Sequence, residues 1–359
     1  MIGDLGKVNP GNTLVESMVS AASGDDSIAT DATDNVFDIV IGGGGSDTIT
    51  GGLGGMVVLG DDGRLTLDSV ALSLLLTYEP PSETATAEEL EADAERRERI
   101  TGLARLVEGV VDDSSGNDSL TIDGGKLIAV MGGGDDEVSN SNAADVVYVL
   151  GDNGTITIET TGDTTETVLQ SEADATDGSD TITSGTGNDW IIAGGAGDSV
   201  DAGDGDDVVL GDFGSYDGTT ATSTQTTDDR GDTITAGLGN DIVIAGGDAD
   251  SVDGGDGDNV ILGDSGSFDG EELISALQDG DGNDTVTSGT GNDWVILGQG
   301  DDEADLGAGD NRVLGDSGKI TASLVTSTEN ANGGQDSITT GAGNDIVIAG
   351  SGNDTVDAG

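Results

Sequence analysis

The chain has no cysteine and no histidine among its 359 residues. Disulfides and thiolate metal sites are therefore excluded, as are a histidine-containing zinc site and a Ser-His-Asp triad. Aromatic residues are scarce, at 2 Trp, 3 Tyr and 3 Phe. No run of about 18 apolar residues occurs, and the opening segment MIGDLGKVNP lacks the pattern of a signal peptide. The sequence therefore predicts neither a membrane-inserted segment nor an N-terminal leader.

Basic residues are also few. Lys and Arg number 10 against 72 Asp and Glu, which gives a formal charge of −62 at pH 7. Nucleic acids and anionic membranes repel such a chain, so neither is expected as a partner. Carboxylates about 4.7 Å apart, the strand spacing of a sheet, repel by roughly 0.9 kcal/mol even in water. An ordered structure therefore requires something that neutralises the carboxylates.

Glycine and aspartate are abundant and recur in a repeating pattern. Near-copies of the segment GNDWIIAG place Trp190, Ile242, Trp294 and Ile346 at intervals of 52 residues. Within each of these units, aspartates recur every nine residues. Such repetition is typical of solenoids, in which each repeat packs on its neighbours rather than around one central core. We therefore expect one elongated body.

The nine-residue repeat follows the pattern GGxGxDxUx, where U is apolar. Residues 42–50, GGGGSDTIT, match it, and SGTGNDWII, AGLGNDIVI, SGTGNDWVI and TGAGNDIVI match it with a small residue in place of the first glycine. More than a dozen such segments lie in register. This is the repeat of RTX calcium-binding β-helices. Most of residues 24–359 resembles that family.

Each nonamer should form a turn followed by a short strand, because glycine tolerates positive φ angles and the triplet xUx alternates as a strand does. The predicted fold class is all-β, a right-handed parallel β-roll or β-solenoid of stacked nonapeptides with loop excursions and one helical insertion. The middle residue of each strand should point inward. Ile182, Ile191, Val200 and Val209 should therefore belong to a thin core between two sheets.

A shared motif, LGDxG, follows each complete unit and precedes a variable excursion. It begins at Leu59, Leu150, Leu210, Leu262 and Leu314. The predicted organisation is the end of a truncated unit over 1–23, repeat units over 24–64, 114–158, 178–214, 231–266, 280–318 and 333–359, and excursions over 65–113, 159–177, 215–230, 267–279 and 319–332. The last unit is also truncated, so the chain is expected to be part of a longer array.

The excursion 65–113 differs from the others, because residues 86–108 have the pattern of a helix. Thr86 and Glu89 fit a capping box, and apolar residues recur at helical spacing over residues 100–107. We expect this helix to buttress the edge of the roll. Docking of a partner is the alternative.

The resemblance implies multiple Ca²⁺ ions as the cofactor. Calcium takes about six to eight oxygen ligands, and a glycine-rich turn can direct its carbonyl oxygens inward while an Asp adds charge. Turns eighteen residues apart should stack and enclose the ion, so Asp180 should act with the turn that ends at Asp198. Asp189 should act likewise with the turn that ends at Asp207.

In the family, the sixth residue of the nonamer is the main side-chain ligand. The corresponding residues here are Asp26, Asp38, Asp47, Asp118, Asp136, Asp145, Asp180, Asp189, Asp198, Asp207, Asp232, Asp241, Asp250, Asp284, Asp293, Asp302, Asp336, Asp345 and Asp354. Met56, Leu127, Asn259 and Asn311 replace Asp at expected positions, where sites should be weaker or absent. The LGDxG aspartates are candidates to complete the last site of each unit: Asp61, Asp152, Asp212, Asp264 and Asp316. A turn-stabilising hydrogen bond is their alternative role.

Outward-facing strand residues differ between alternate nonamers. In one set they are polar, as at Thr181 and Thr183. In the other set they form an apolar stripe: Trp190, Ile192, Val208, Leu210, Ile242, Ile244, Trp294, Ile296, Ile346 and Ile348. An exposed stripe of this length is abnormal for a lone soluble protein, so either the excursions or another copy of the chain should cover it. The excursion SYDGTTATSTQTTDDRG offers little apolar material near Trp190.

The sequence favours a non-enzymatic function, because its acidic residues belong to the repeat and no separate cluster suggests a glycosidase-type carboxylate pair. The resemblance implies an extracellular, calcium-stabilised spacer or scaffold of a giant bacterial adhesin, S-layer-like or filament-forming protein exported by type I secretion. One alternative is an ice- or ligand-binding solenoid, although GTGND loops occur only at residues 185 and 289. Another is the RTX region of a secreted enzyme.

Overall fold

A computed structural model describes residues 6–9, 14–17, 24–30, 38–52, 56–67, 104–109, 116–161, 164–227, 229–276, 282–328 and 333–359. All regular elements in these ranges are β-strands, arranged in three sheets. The all-β prediction is confirmed for this part of the chain. The same ranges contain no helix long and apolar enough to cross a membrane.

The first sheet, which we call the polar sheet, has 12 parallel strands in chain order. They are Ser27–Ala29, Thr48–Thr50, Ser119–Thr121, Glu137–Ser139, Thr181–Thr183, Ser199–Asp201, Thr233–Thr235, Ser251–Asp253, Thr285–Thr287, Glu303–Asp305, Ser337–Thr339 and Thr355–Asp357. In most of them only the middle residue is buried, so one face of the sheet meets solvent.

The second sheet, which we call the apolar sheet, has 11 parallel strands. They are Asp38–Ile41, Met56–Leu59, Leu127–Val130, Val147–Leu150, Trp190–Ile192, Val208–Leu210, Ile242–Gly246, Val260–Asp264, Trp294–Gly298, Arg312–Asp316 and Ile346–Ile348. The chain passes alternately from one parallel sheet to the other. Each nonamer therefore makes one side of a flattened roll.

The first core lies between these two sheets. Ile182 pairs with Val200 in the polar sheet, and Ile191 pairs with Val209 in the apolar sheet. All four are at most 2% exposed and belong to one continuous apolar cluster. The predicted inward residues are thus confirmed as the core.

The third sheet, which we call the hairpin sheet, consists of 12 antiparallel strands contributed by the excursions. They are Gly6–Asn9, Leu14–Ser17, Gly63–Leu67, Ala104–Gly109, Gly154–Thr161, Thr164–Ser171, Gly214–Tyr216, Ala221–Ser223, Gly266–Phe268, Glu272–Ser275, Gly318–Thr321 and Leu324–Ser327. Five of its hairpins begin at the last glycine of an LGDxG motif. The predicted boundary between residues 158 and 159 falls inside one of its strands.

The hairpin sheet packs on the outer face of the apolar sheet and creates a second core. Ile192, Val208, Leu210, Ile244 and Ile296 of the stripe are buried there. Trp190, Ile242, Trp294 and Ile348 are half-buried, and Ile346 is 46% exposed. The excursions therefore cover most of the stripe.

The excursion after Leu210 covers Trp190, contrary to expectation. The Tyr216 ring meets the Trp190 ring edge to face, with centroids 4.5 Å apart. A Cβ on Gly218 would lie 3.2 Å from that indole. Trp190 is thus covered by one tyrosine and by a close approach of the backbone, which the low apolar content of this segment did not indicate.

The predicted helix over 86–108 is wrong at its C-terminal end. Residues Ala104–Gly109 form a strand, in which Val107 pairs with Leu65 on one side and Ile156 on the other. Residues 86–103 lie outside the described ranges. Pairing between two existing strands outweighs the weak helical preference of a six-residue segment, since propensity yields readily to tertiary context.

Candidate metal sites along the two edges of the roll

The turns form two rows, one along each edge of the roll. We call the row that precedes the polar strands the first edge and the row that precedes the apolar strands the second edge. On the first edge, the backbone N of each sixth-position Asp donates to Oδ1 of the next one. Asp180 N lies 2.7 Å from Asp198 Oδ1, and Asp198 N lies 2.8 Å from Asp232 Oδ1. Adjacent turns are therefore in direct contact.

This first-edge ladder runs without interruption through twelve aspartates. They are Asp26, Asp47, Asp118, Asp136, Asp180, Asp198, Asp232, Asp250, Asp284, Asp302, Asp336 and Asp354. The structure thus places Asp180 beside Asp198, as the eighteen-residue spacing predicts.

The second edge carries a shorter ladder of the same kind. Its members are Asp189, Asp207, Asp241, Asn259, Asp293, Asn311 and Asp345. The two asparagines fit because an amide Oδ1 accepts a hydrogen bond as a carboxylate does. Ladder formation therefore needs a side-chain oxygen and no charge.

Earlier positions on the second edge are mostly apolar. The register of the apolar sheet aligns Asp38, Met56, Leu127 and Val147 in turn, and Val147 N donates to Asp189 Oδ1 at 2.7 Å. Met56, Leu127 and Val147 are buried. A row of carboxylates therefore begins only at Asp189.

The structure places Asp145 outside the ladder, two residues before Val147 and exposed to solvent. Residues 140–147 connect the aligned strands in this rung, whereas the six residues 184–189 do so in the next. This rung therefore contains a two-residue insertion. Counting nine residues from Asp136 does not take the insertion into account and so selects Asp145. Asp145 is thus the predicted ligand that the geometry supports least.

The ladder carboxylates are buried and crowded by like charges. Burial, together with Asp136 and Asp61, raises the pKa of Asp118 to about 10. Burial, Asp284 and Asp232 raise the pKa of Asp250 to about 10. On the second edge burial raises the pKa of Asp241 and of Asp293 to about 6 and that of Asp207 to about 8. The most strongly raised of these pKa values therefore belong to the first edge.

The second oxygen of most first-edge carboxylates is buried without a hydrogen-bond donor. These Oδ2 atoms belong to Asp118, Asp136, Asp180, Asp198, Asp232, Asp250, Asp302 and Asp336. A buried carboxylate oxygen left in this state is strongly unfavourable. The ladder is therefore incomplete without a cation or a proton.

The first glycine of the LGDxG motif lines a space into which two oxygens point. A Cβ on Gly151 would lie 2.1 Å from Asp180 Oδ2 and 2.3 Å from the Ala193 carbonyl oxygen. On Gly211 it would lie equally close to Asp232 Oδ2 and the Ala245 carbonyl oxygen. Carboxylate and carbonyl oxygens are the ligands that Ca²⁺ prefers. The residues present thus fit calcium.

Side chains alone do not form these sites. Among the described residues, no group of three or more Asp or Glu side chains lies close enough to hold a metal ion. Backbone carbonyl oxygens of the glycine-rich turns must supply the remaining ligands, as the nonapeptide pattern predicts.

The LGDxG aspartates hydrogen-bond to the adjacent rung. Asp212, which is fully buried, accepts from Gly247 N at 2.5 Å. Asp152 accepts from Gly195 N at 2.6 Å. Asp316 accepts from the backbone N and the hydroxyl of Ser351. Each of these bonds joins residues 35 to 43 positions apart in the sequence. They are therefore contacts between rungs and not local turn bonds.

A set of hydrogen-bond donors on the second edge was not predicted from the sequence. Ser288 Oγ donates to Asp293 Oδ2 at 2.8 Å, and Thr340 Oγ1 donates to Asp345 Oδ2 at 3.0 Å. Asn259 Nδ2 donates to the Gly254 carbonyl oxygen at 3.0 Å. Ser288 and Thr340 are the first residues of their nonamers. A hydroxyl residue in place of the first glycine was therefore the sequence signal that could have predicted these donors.

The comparison with protein families agrees with this geometry. A model of the RTX calcium-binding nonapeptide repeat matches the chain in four copies, at residues 174–209, 226–267, 278–313 and 330–359. No curated protein matches the chain. The four copies cover both ladders from Asp180 onward. Between residues 174 and 359 the chain therefore carries four copies of the RTX calcium-binding nonapeptide repeat.

Proposed function

We propose that this chain is a calcium-stabilised structural region of a secreted or cell-surface protein, in which it acts as a rigid spacer or scaffold. The observation that carries the proposal is the first-edge ladder, whose buried Oδ2 atoms share space with backbone carbonyl oxygens. Calcium between adjacent turns would complete both sets of oxygens. The proposed ligands are the ladder aspartates of the two edges.

Calcium binding of this extent would decide whether the chain folds. One site at ten times its Kd contributes about 1.4 kcal/mol, so ten sites would contribute on the order of 14 kcal/mol. Typical folding stability is only about 5–15 kcal/mol. The chain should therefore be unfolded where calcium is scarce and folded where it is plentiful.

This dependence supports a location outside the cell. Calcium modules of extracellular proteins bind with Kd values of about 0.1–1 mM, a range suited to folding after export. An adhesin, S-layer-like or filament-forming parent protein would use such a rod to hold other domains away from the surface. A structural rather than catalytic role is supported because the buried acids repeat from rung to rung.

Lateral assembly through the apolar stripe is not needed for this role. The hairpin sheet already buries Ile192, Leu210 and Ile244, so most of the stripe offers no surface to a second copy. We expect the folded array to be a monomer under conditions in which its calcium sites are filled.

The test is a calcium titration of chelator-treated protein, followed by far-UV circular dichroism and sedimentation velocity. The proposal predicts a cooperative gain of β signal and a more compact species of unchanged mass. Magnesium is the control, because it demands octahedral geometry and gives up its water reluctantly. Spectra that calcium leaves unchanged would contradict the proposal.

A further inference from the structure

Each hairpin leaves and rejoins the first edge at a neck that interrupts one turn. An uninterrupted turn, residues 193–198, has six residues between strands. At the neck after Leu210, Gly211 and Asp212 precede the hairpin, and residues 229–232 follow it. The hairpin is thus an insertion between the second and third residues of a six-residue turn. Asp212 and Asp229 are the residues that flank the insertion.

Both carboxylates of this neck lie against the same dipeptide of the next rung. A Cβ on Gly246 would lie 2.1 Å from Asp212 Oδ2, and one on Gly247 would lie 3.0 Å from Asp229 Oδ2. Gly247 N donates to Asp212 Oδ2. The two acids, which are 17 positions apart in sequence, therefore face one small space.

The other carboxylate oxygen of Asp212 has no hydrogen-bond donor among the described residues. The residue is fully buried, and its Oδ1 has no hydrogen-bond donor. Asp229 is 6% exposed and accepts from Thr226 N and Thr226 Oγ1, which fixes the carboxylate in place. A buried, donor-free oxygen beside a second fixed carboxylate is the arrangement that a cation would complete.

The preceding neck has the same pair of acids, but both oxygens of Asp152 accept backbone hydrogen bonds there, from Gly178 N and Gly195 N. A Cβ on Gly194 would lie 2.3 Å from Asp152 Oδ2, and one on Gly195 would lie 3.2 Å from Asp177 Cβ. Arg230, whose guanidinium donates to the Asp229 carbonyl oxygen, has Gly178 as its counterpart here. A local arginine is therefore not a shared feature of the necks, whereas the acid pair is.

We propose that the neck after Leu210 forms a second class of cation site, in which one hard divalent cation binds between Asp212 and Asp229. The cation would join the departing and returning chains and so close the base of this hairpin. The proposal rests on the calcium-binding function proposed above only for the identity of the ion.

The neck after Leu314 differs in a way that supports the pairing. Gly333 occupies the position of Asp229, and a Cβ there would lie 2.0 Å from Asp316 Oδ1. The residue at this position is therefore in direct contact with the LGDxG aspartate. Where it is an Asp, the two carboxylates are neighbours.

The experiment is native mass spectrometry of the full chain in saturating calcium, which resolves single bound ions. D212N and D229N should each bind one ion fewer than the unaltered chain. The double variant should also bind one fewer, because both carboxylates hold the same ion. D201N, which removes an exposed carboxylate from the polar sheet, is the matched control and should bind the full number.

Circular dichroism in calcium establishes that each variant folds, and D229N alone carries the test if D212N does not fold. Unchanged ion numbers in D212N and D229N would overturn the neck site, as would a double variant that loses two ions. An unaltered chain that binds no calcium would instead contradict the proposed function, so the two failures are distinguishable.

Discussion

Each edge of the roll carries a hydrogen-bond ladder of the same kind. The two ladders differ in what satisfies the second oxygen of each carboxylate. On the first edge, Asp180 Oδ2 and Asp232 Oδ2 are buried without donors. On the second edge, Ser288 and Thr340 donate to the corresponding oxygens of Asp293 and Asp345. The same backbone geometry thus leaves buried carboxylate oxygens without donors along the first edge, whereas protein hydroxyls satisfy such oxygens at positions of the second edge.

Asn259 shows most clearly how the second edge dispenses with charge. Its Oδ1 accepts from Asp241 N, as an aspartate would, and its Nδ2 donates to the carbonyl oxygens of Gly254 and Gly255. The amide nitrogen therefore contacts carbonyl oxygens of the kind that a calcium ion would bind. One neutral side chain takes the place of a carboxylate and its ion.

Positions within the second edge also differ in whether a protein donor satisfies the second carboxylate oxygen. Asp207 and Asp241 belong to turns that begin with Ala202 and Ala236, which have no hydroxyl, and their Oδ2 atoms are buried without donors. We therefore expect the first residue of each nonamer, as well as the sixth, to determine calcium dependence. Second-edge binding should concentrate at these two aspartates.

The largest expected effect comes from protons in the absence of calcium. Burial raises the folded-state pKa of ladder carboxyls from the ordinary value of 3.8 to about 6 at Asp241 and about 10 at Asp250. Stability from these protons is fully present below the ordinary value and is lost as pH rises through the raised values. Calcium-free protein should therefore show β signal near pH 4 and lose it toward about pH 8.

Circular dichroism across this pH range, with chelator present, checks the prediction. The calcium-loaded protein is the control and should keep its β signal at neutral pH, because the ion then holds the carboxylates. Calcium-free protein that becomes less ordered on acidification would show that the ladder acids are not neutralised in the folded state.

A matched pair of substitutions compares the edges directly. D232N on the first edge should lower the free energy of unfolding in calcium by about 1–3 kcal/mol, because a charged ligand of an ion is lost. D293N on the second edge lies between Asn259 and Asn311 in the ladder and should change it by less than about 0.5 kcal/mol. Urea denaturation at fixed calcium measures both, and equal losses would remove the distinction between the edges.

The reverse substitution should convert a self-sufficient position into a calcium-dependent one. N259D removes the Nδ2 donor from Gly254 and Gly255 and adds a buried charge, which should cost about 1–2 kcal/mol when calcium is limiting. Saturating calcium should restore this loss. The slope of stability against calcium concentration, compared with that of the unaltered chain, is the measurement, and an unchanged slope would contradict the expectation.

A modest loss of stability is expected when the second-edge hydroxyl is removed. S288A leaves Asp293 Oδ2 without its donor and should cost about 0.5–1.5 kcal/mol. S323A, an exposed serine in a hairpin turn, is the control and should be neutral. Thermal denaturation of the two variants at the same calcium concentration would separate them, and equal midpoints would show that the hydroxyl contributes nothing.

The parallel sheets could be predicted from the sequence because the nine-residue spacing fixes both the strand triplet and its inward residue. Ile182 and Val209 are placed by that spacing alone. Asp145 was misplaced since a two-residue insertion preserves the local pattern while it shifts the register. Only the pairing of Val147 with its neighbours determines which residue enters the row.

The hairpin sheet could not be predicted in full, because its pairings join segments distant in sequence. Val107 becomes a strand residue through Leu65 and Ile156, and no local pattern encodes those partners. Asp229 was likewise missed as a site residue, since its proximity to Asp212 exists only once a hairpin has closed. The sixth-position aspartates were accessible because each lies within its own repeat.

The most direct test of calcium binding along the first edge is a calcium anomalous difference map from crystals of the calcium-loaded chain. We predict a continuous row of ions along the first edge, beside Asp180, Asp198 and Asp232, and gaps at Asn259 and Asn311 on the second edge. Calcium binding along the first edge would be contradicted by a map with no ions there, and the difference between the edges by ions at Asn259 and Asn311 that are as fully occupied as those of the first edge.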